Sequence, residues 1–458
     1  MRGHLNLQLG LAYLLLCVSL SAAPQNSDVG ETLSLEQAVR VSLQNNSLLK
    51  ASELGVDEAK ARLRIATSAY LPKLSFDHTM TRGNNPVYVF GSLLTQRRFT
   101  QENFALDTLN VPPPLNNFQN RFSATQSVYD FGRTSSRVAQ SRVGSHLSEK
   151  ELDATRSDLI FRVVKAYYQG LLARELVQVA ETAVRSARAA EDNARSRLQA
   201  GVALESDLLS VQVHRAGQEE ELLKATNVQR LAQSALCFEL GVPLERQFVL
   251  VRQVTPLPAD TTDMATLQSA ALQNRPDYGQ SQLALQNQEL VVKAARSEFL
   301  PTISLFGSWE TDDQSFASRA GNNWLAGVNL HFNLFNGRAD EAKLAESRFQ
   351  QKRTLAMQAH LAQAIRHQVQ KAFLDLETAS QRIAVSQQAV SQAEESGRII
   401  RNRYEAGLAT VTDLLRAETA LTAAKGNYLR AVFDQRVGAA NLELQVGRLS
   451  PESRVVRE

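Results

Sequence analysis

The chain repeats itself at long range. Residues 195–209 read RSRLQAGVALESDLL and residues 401–415 read RNRYEAGLATVTDLL, with Gly201 and Gly407, Asp207 and Asp413, and Leu209 and Leu415 all at one offset of 206. Upstream, SLQNNSLL at 42–49 answers ALQNRPDY at 271–278, and AYLPKLSF at 69–76 answers EFLPTISL at 298–305. There Pro72 and Pro301 are 229 apart, so the first copy carries 23 extra residues. A repeat of about 200 residues is far longer than the roughly 20–50 of a solenoid unit. The pattern predicts two halves of one pseudo-symmetric structure, each with the same elements in the same order.

Ala, Leu, Gln, Ser, Glu and Arg dominate and aromatics are only 6%, which suits long helices better than sheets. The net charge of +3 is small for 458 residues, and basic residues alternate with acids as on a solvated helix face. No nucleic-acid partner is expected. Arg2 and His4 precede an apolar run from Leu9 to Leu20 that ends in Ser21-Ala22-Ala23, so residues 1–23 read as a signal peptide. A lipoprotein signal acylated at Cys17 competes, but Leu16 is too large for the position before it. Of the mature cysteines only Cys237 remains, so no intramolecular disulfide forms, and no Cys/His spacing suits zinc. Within ALCFEL, Cys237 reads as a small buried packing residue. After the signal no stretch reaches the about 18 apolar residues of a membrane helix. The exported chain is therefore soluble, or crosses a membrane as β-strands.

Each half opens with two helices. Ser34 starts LSLEQAVRVSLQ, where Leu35, Ala38, Val39 and Leu43 share a face and Glu36 and Gln37 lie in the first turn. Asn45-Asn46-Ser47 breaks it, and a second helix runs to about Tyr70 before Pro72. The second half repeats this as TLQSAALQN, Pro276 at a helix start, and VVKAARSEFL before Pro301. The period then changes from helical to alternating. Trp324, Ala326, Val328, Leu330, Phe332 and Leu334 alternate with Leu325, Gly327, Asn329, His331, Asn333 and Phe335. That segment matches the roughly 9–11 residues of a tilted transmembrane strand. The four strands are expected at 73–82, 120–130, 302–311 and 324–335. A half-buried sheet on a soluble domain alternates in the same way. Here, however, no amphipathic element is left to cover the apolar face. The stretch 83–117, with NNP and PPP, holds the insertion and reads as a surface loop.

DFGR at 130–133 and FNGR at 335–338 place Asp130 and Asn336 where they can cap helix N-termini. DFG lacks every other kinase signature and is a coincidence. From Arg133 no break signal occurs until Ala200-Gly201, a helix of roughly 100 Å at 1.5 Å per residue. Its twin runs from Arg338 to about Ala406. Leu152, Leu159, Val163, Leu171, Leu176 and Val179 form a narrow coiled-coil seam. Gly201 and Gly407 then reverse the chain at tips near 200–204 and 406–410, and helices return over 205–240 and 411–446. Four membrane strands fall short of the roughly eight a bacterial barrel needs, and open edges in lipid leave backbone groups unpaired. Other copies of the chain must close the barrel, with their long helices forming a second tube in line. Such a tube conducts.

Over essentially all its mature length the chain resembles the TolC-like outer membrane efflux proteins. The resemblance rests on LSLEQAVRVSLQNN at 33–46, ALQNRPD at 271–277, the two LP-plus-strand units, RYEAGLATVTDLLRAETAL at 403–421, and GNYLRAVFDQRVGAANLELQVGR at 426–448. It implies a mainly α fold with a transmembrane β-barrel contribution: a homotrimer with a twelve-stranded barrel in outer membrane lipid and a twelve-helix periplasmic tunnel. Residues 24–250 and 251–448 would be the two repeats and 449–458 a tail. It also implies docking to a periplasmic membrane-fusion adaptor of an inner-membrane transporter of the RND, ABC or MFS type. Gly201, Val202, Gly407 and Leu408 would be the adaptor-contact turns, although each glycine also suits a plain helix C-cap. Trp324, Val328, Leu330 and Phe332 would face lipid.

Asp207 and Asp413 suit first-turn acids complementing the helix dipole. In the family the position of Asp413 contributes an acidic ring at the aperture, but the second acid expected one turn later is Arg416, with Ser210 in the first half. Arg416 can neutralise Asp413 at i,i+3 spacing. Tyr404 and Asp207 match positions whose polar link helps hold the closed state, while the basic partner expected near 409 is Ala409. No HExxH, Walker, Rossmann or nucleophile-elbow pattern occurs, so no catalytic residue, cofactor or metal is expected. A type I protein-secretion duct shares this architecture; an exported coiled-coil scaffold or adhesin is the reading from another class. Absence of any Met/His cluster gives metal export no support.

Overall fold

The computed structural model describes residues 31–251, 255–257, 263–316 and 321–457; the signal segment with Cys17 lies outside them. In chain order the first half is β1 (Glu31–Leu33), α1 (Leu35–Asn45), α2 (Ser47–Thr67), β2 (Lys73–Gly83), α3 (Pro86–Thr95), α4 (Leu106–Asn110), β3 (Leu115–Tyr129), α5 (Arg133–Gln199), α6 (Glu205–Leu240) and β4 (Phe248–Leu250). The second is α7 (Met264–Asn274), α8 (Pro276–Ser297), β5 (Thr302–Asp313), β6 (Gly321–His331), α9 (Ala339–Glu405), α10 (Val411–Val446) and the short α11 (Arg454–Arg457). The long helices α5 and α9 each have 67 residues, and α6 and α10 each have 36.

The break between the two opening helices of each half is a docking point. Ser34 caps α1 reciprocally: its Oγ accepts from Gln37 N (3.2 Å) and Gln37 Oε1 accepts from Ser34 N (2.9 Å). Asn46 caps α2 through Leu48 N at 2.9 Å and sends its Nδ2 to Glu239 O at 3.0 Å, tying the break to the end of α6. Gly241 ends α6 at φ +68°, and a Cβ there would meet Asn45 O at 2.7 Å. Gly447 ends α10 at φ +74°, and its Cβ would meet Arg275 N, at the α7–α8 break, at 2.8 Å. The two sites are repeat equivalents, and each needs glycine for its left-handed backbone and for the close approach.

The core lies at this level, midway along the long helices. Leu159, Val163, Val164, Tyr167 and Leu171 of α5 are buried against Leu236, Cys237 and Leu240 of α6 and Leu35, Ala38 and Val39 of α1. Ser42 completes that α1 face, its hydroxyl donating to Glu239 O at 2.7 Å. A parallel β1–β4 pair adds Leu33, Phe248 and Leu250. A second cluster holds Leu267 and Ala271 of α7, Ile365 and Val369 of α9, and Leu442 and Val446 of α10. Cys237 is buried and donates its thiol to Arg246 O at 3.1 Å, the packing role its context implies.

The remaining strands form one antiparallel sheet in the order β2-β3-β5-β6. Its register aligns Phe76, Phe122, Trp309 and Trp324 as a row on one face, with ring centroids 4.7 Å apart for Phe76–Phe122 and 5.8 Å for Phe122–Trp309. The next row, on the other face, is Asp77, Arg121, Glu310 and Asn323, with Arg121 Nε donating to Glu310 at 3.0 Å. Among the described residues no element covers the apolar face: Trp324 is 77% exposed, and Leu74, Val328 and Leu330 are exposed as well.

Several boundaries differ from expectation. The last strand spans Gly321–His331, not 324–335, so Phe332, Leu334 and Phe335 lie past its end. His331 pairs with Thr302, and the residue before Thr302 is Pro301, which has no N–H to extend the ladder. The second strand begins at Leu115 rather than 120 and carries a register shift between Ser127 and Tyr129. Helix α9 starts after Arg338 in a left-handed conformation (φ +66°) with no side-chain cap, and Asn336 contributes its carbonyl, accepting from Ala339 N at 2.9 Å. At the equivalent corner Gly132 is left-handed, and the Asp130 carboxylate does accept a helix N–H, from Thr134 at 2.8 Å. The loop over 83–117 is not irregular: Asn85 caps α3 with Pro86 at its first position. Val89, Ser92 and Gln96 are buried, and Gln96 bonds Asn117 on the polar side of the sheet.

Candidate functional site: the hairpin tips

The two tips are built alike. Val202 N donates to Arg197 O (2.9 Å) and Gly201 N to Leu198 O (2.9 Å); Leu408 N donates to Arg403 O (2.7 Å) and Gly407 N to Tyr404 O (3.0 Å). With φ of +75° at Gly201 and +76° at Gly407, both are Schellman endings, which satisfy the last helix carbonyls. Val202 and Leu408 are thereby left exposed at the turns.

The return helices differ at their first turn. Thr410 and Asp413 form a reciprocal box: Asp413 Oδ2 accepts from Thr410 N (3.1 Å) and Oγ1 (2.7 Å), and Thr410 Oγ1 accepts from Asp413 N (3.2 Å). These bonds hold the Asp413 carboxyl below its ordinary range, with smaller help from Arg416 and Arg403. Among the described residues Arg416 makes no ion pair with Asp413, whose carboxylate is committed to Thr410 instead. In the first tip Leu204 replaces Thr410, and Asp207 keeps half the box, accepting from Leu204 N at 3.4 Å.

One side chain joins the two hairpins at this level. Arg197, at the end of α5, donates from Nη1 to Tyr404 O at 2.9 Å and to Glu405 O at 3.4 Å, and its guanidinium lies 5.0 Å from the Tyr404 ring centre. Tyr404 is buried among Ala190, Ala194, Val211, Val411 and Leu414, from both hairpins. Burial pushes its phenol pKa up, Arg197 opposes this, and Asp207 adds to it. Asp207 is thus within electrostatic reach of Tyr404, but no hydrogen bond joins them among the described residues. The bond expected there is replaced by Arg197. Sequence alone hides this, because the repeat twin Arg403 looks identical; Arg403 bonds only its own turn, at Leu408 O (3.4 Å). The distinguishing signal is Tyr404 where the first half has Leu198.

Two acids sit above the tips, one buried and one half-buried. Glu191 is 3% exposed and bonds Arg195 (2.6 Å), Arg215 (2.7 Å) and Gln212 (3.2 Å). Burial pushes its carboxyl up, but Gln212, Arg215 and Arg195 together outweigh burial and bring it below the ordinary range. Glu418 lies between hairpins, 3.5 Å from Arg401 Nη2 and 4.0 Å from His214 Nε2. Burial raises its pKa, opposed first by the Arg401 guanidinium. It lines a cavity of about 330 Å³ with Val179, Val390, Leu421 and Lys425. Among the described residues no three His, Cys, Asp or Glu side chains cluster as metal ligands. The arrangement is mechanical and electrostatic.

Comparisons with known proteins agree with this architecture. The family model described as outer membrane efflux protein matches residues 38–242 and 267–448. The toluene efflux pump outer membrane protein TtgC of Pseudomonas putida is 24% identical over 427 residues, covering 90% of this chain and 83% of the relative. The alkaline protease secretion protein AprF of Pseudomonas aeruginosa is 22% identical over 436 residues, covering 91% and 85%. Among solved structures, the Campylobacter jejuni CmeC outer membrane channel superposes with a TM-score of 0.79 at 18% identity over 99% of this chain and 96% of that one. The open-state Neisseria gonorrhoeae MtrE channel gives 0.72 at 19%, covering 92% and 90%. With the duplicated long hairpins, the uncovered strand face and a family match over most of its length, the chain belongs to the outer membrane efflux protein family, and is a TolC-like, non-enzymatic outer membrane channel of tripartite efflux and secretion systems.

Proposed function

We propose that three copies of this chain close one conduit from periplasm to exterior. The carrying observation is the sheet: β2 and β6 are both unpaired edges, and its apolar face is uncovered. Joining β6 of one copy to β2 of the next satisfies both edges. Three copies then give a twelve-stranded barrel, with Trp324, Val328 and Leu330 toward lipid and the row through Asp77, Arg121 and Glu310 lining the lumen. Phe332 joins that belt just beyond the strand. The helical hairpins continue the tube through the periplasm. At its end Gly201–Val202 and Gly407–Leu408 offer a periplasmic adaptor six similar apolar turns, and an inner-membrane transporter supplies the energy.

The gate in this reading is the Arg197–Tyr404 clasp, with Asp207 beside it and Asp413 held by its Thr410 box. Efflux of small toxic molecules is the cargo class we favour, since a toluene efflux channel is among the similar proteins at 24% identity. A protein-secretion duct is the second reading, supported by the alkaline protease secretion relative. Cysteines placed on β2 and β6 at matching rows should crosslink into a closed trimer in outer membranes. Purification as a soluble monomeric rod without detergent would sink the reading. Deleting the gene and measuring toxicant sensitivity beside secreted protease separates the two cargoes.

A further inference from the structure

The loop between β2 and β3 carries a feature that conduction does not use. Helix α3 lies across the polar face of the sheet at the end remote from the helical arms. Its last turn is anchored there: Gln96 Nε2 donates to Asn116 O (2.9 Å) and Asn117 Oδ1 (2.9 Å), Arg97 donates to Asn322 O (2.7 Å), and Asn323 Nδ2 donates to Thr95 O (3.2 Å). Gly321 passes so close that a Cβ would overlap Thr95 O at 1.8 Å. Under this turn sits Asp312, 1% exposed. Its Oδ1 accepts from Asn117 Nδ2 (2.7 Å) and Gln119 Nε2 (3.2 Å). Among the described residues its Oδ2 has no partner, and neither has Oε1 of the fully buried Gln96 in the same hydrogen-bonded chain.

The chemistry of what is left over is one-sided. Every amide N–H₂ in the chain Gln96–Asn117–Asp312–Gln119 already donates, and the two unsatisfied atoms are both oxygens. The neighbouring guanidinium groups are engaged elsewhere, that of Arg121 by Glu310 and that of Arg97 by Asn322 O. Among the described residues Asp312 has no cationic partner. A buried carboxylate without one is strongly disfavoured, because it has given up its hydration for no counter-charge. Water would satisfy a lone pair but leave the charge. A hard cation does both, because it takes oxygen ligands from carboxylate, amide and water together.

We propose that Asp312 and Gln96 hold a calcium ion under α3, one per chain, which clamps the loop over the outer mouth of the barrel. With a single carboxylate per site the affinity falls in the roughly 0.1–1 mM range of extracellular calcium modules. Calcium rather than magnesium is the fit, since magnesium demands near-ideal octahedral geometry and gives up water reluctantly. The placement at the outer mouth rests on the conduit reading above; the ion site itself does not.

The test uses the full chain purified in detergent, with calcium chloride as the probe and magnesium chloride as control. Arg97 and Arg98 are exposed beside the anchored turn, so trypsin reports the clamp. Wild type should retain about one calcium per chain in equilibrium dialysis, and calcium should slow cleavage at Arg97 and Arg98 about tenfold. Asp312→Asn keeps the shape and the Asn117 bond and should lose both effects. Gln96→Ala should weaken both. No calcium retention by wild type at millimolar concentration, or equal retention and protection in Asp312→Asn, overturns the site. Calcium binding without trimer crosslinking would retain the site and reject the conduit.

Discussion

Replacing Arg197 by alanine should loosen the channel at its periplasmic end. The guanidinium makes a 2.9 Å bond to Tyr404 O and a ring contact at 5.0 Å. A hydrogen bond from a charged donor contributes about 1.5–3 kcal/mol, and a cation–π contact at a partly exposed site about 0.5–1. Arg197 is only half-buried, so about 2 kcal/mol per chain is a reasonable net, roughly a 30-fold shift between joined and separated hairpins. If three clasps release together the shift is about 6 kcal/mol, or roughly four orders of magnitude. Arg197→Ala channels in planar bilayers should therefore show a much larger resting conductance than wild type. The matched control is Arg403→Ala, which removes a contact confined to its own turn (3.4 Å) and should leave conductance near wild type. Equal behaviour of the two variants, or no rise with Arg197→Ala, means the clasp does not hold the aperture.

Other consequences are open to direct measurement. Gly241→Ala and Gly447→Ala force a Cβ to 2.7 and 2.8 Å from backbone and should each lower the melting temperature clearly, whereas Gly201→Ala, with nothing within 4 Å, should cost only the about 1–2 kcal/mol of a left-handed alanine. Val328→Arg, on the uncovered face, should block assembly at a cost of about 2–4 kcal/mol per chain, while Asn329→Arg on the polar face should still give heat-resistant trimers on gels. Burial raises the Glu418 pKa above its usual 4.5, so the folded state takes up a proton before the unfolded one. The stability linked to Glu418 should thus rise as pH falls through its folded pKa, and be fully present below about 4.5. Comparing melting temperatures against pH for wild type and Glu418→Gln isolates that increment, which the variant should lack.

Much of the fold was legible because its signals are long or duplicated. A 67-residue helix without proline, ended by glycine, leaves little choice, and the repeat offered a second reading of each boundary. The strands were legible from alternation, but their ends were set by pairing: β6 stops at His331, opposite Thr302, because the next position meets Pro301, which no window around 331 reveals. The β1–β4 pair was out of reach, since three residues carry no period and the partners lie over 200 positions apart. Helix α3 is masked by the prolines around it, which signal a loop, although Asn85-Pro86 is itself a helix start. At the tips, the types and positions of Asp413 and Tyr404 were readable. Arg197 was not, because the choice between its own turn and the neighbouring hairpin depends on how two coiled coils lie side by side.

The equal arm lengths carry a consequence for how such a chain can change. Glu191 corresponds to Gly397 in the repeat and Leu198 to Tyr404, so side chains differ between the halves even beside the tips. Length does not: 67 residues out and 36 back in both arms. Each added residue would lengthen one leg by about 1.5 Å and turn its tip by about 100°. A stool tolerates repainting of any leg but not the trimming of one. Point substitutions along the arms should therefore be widely accepted, while single-residue insertions in α5 or α9 alone should be tolerated only when matched in the other.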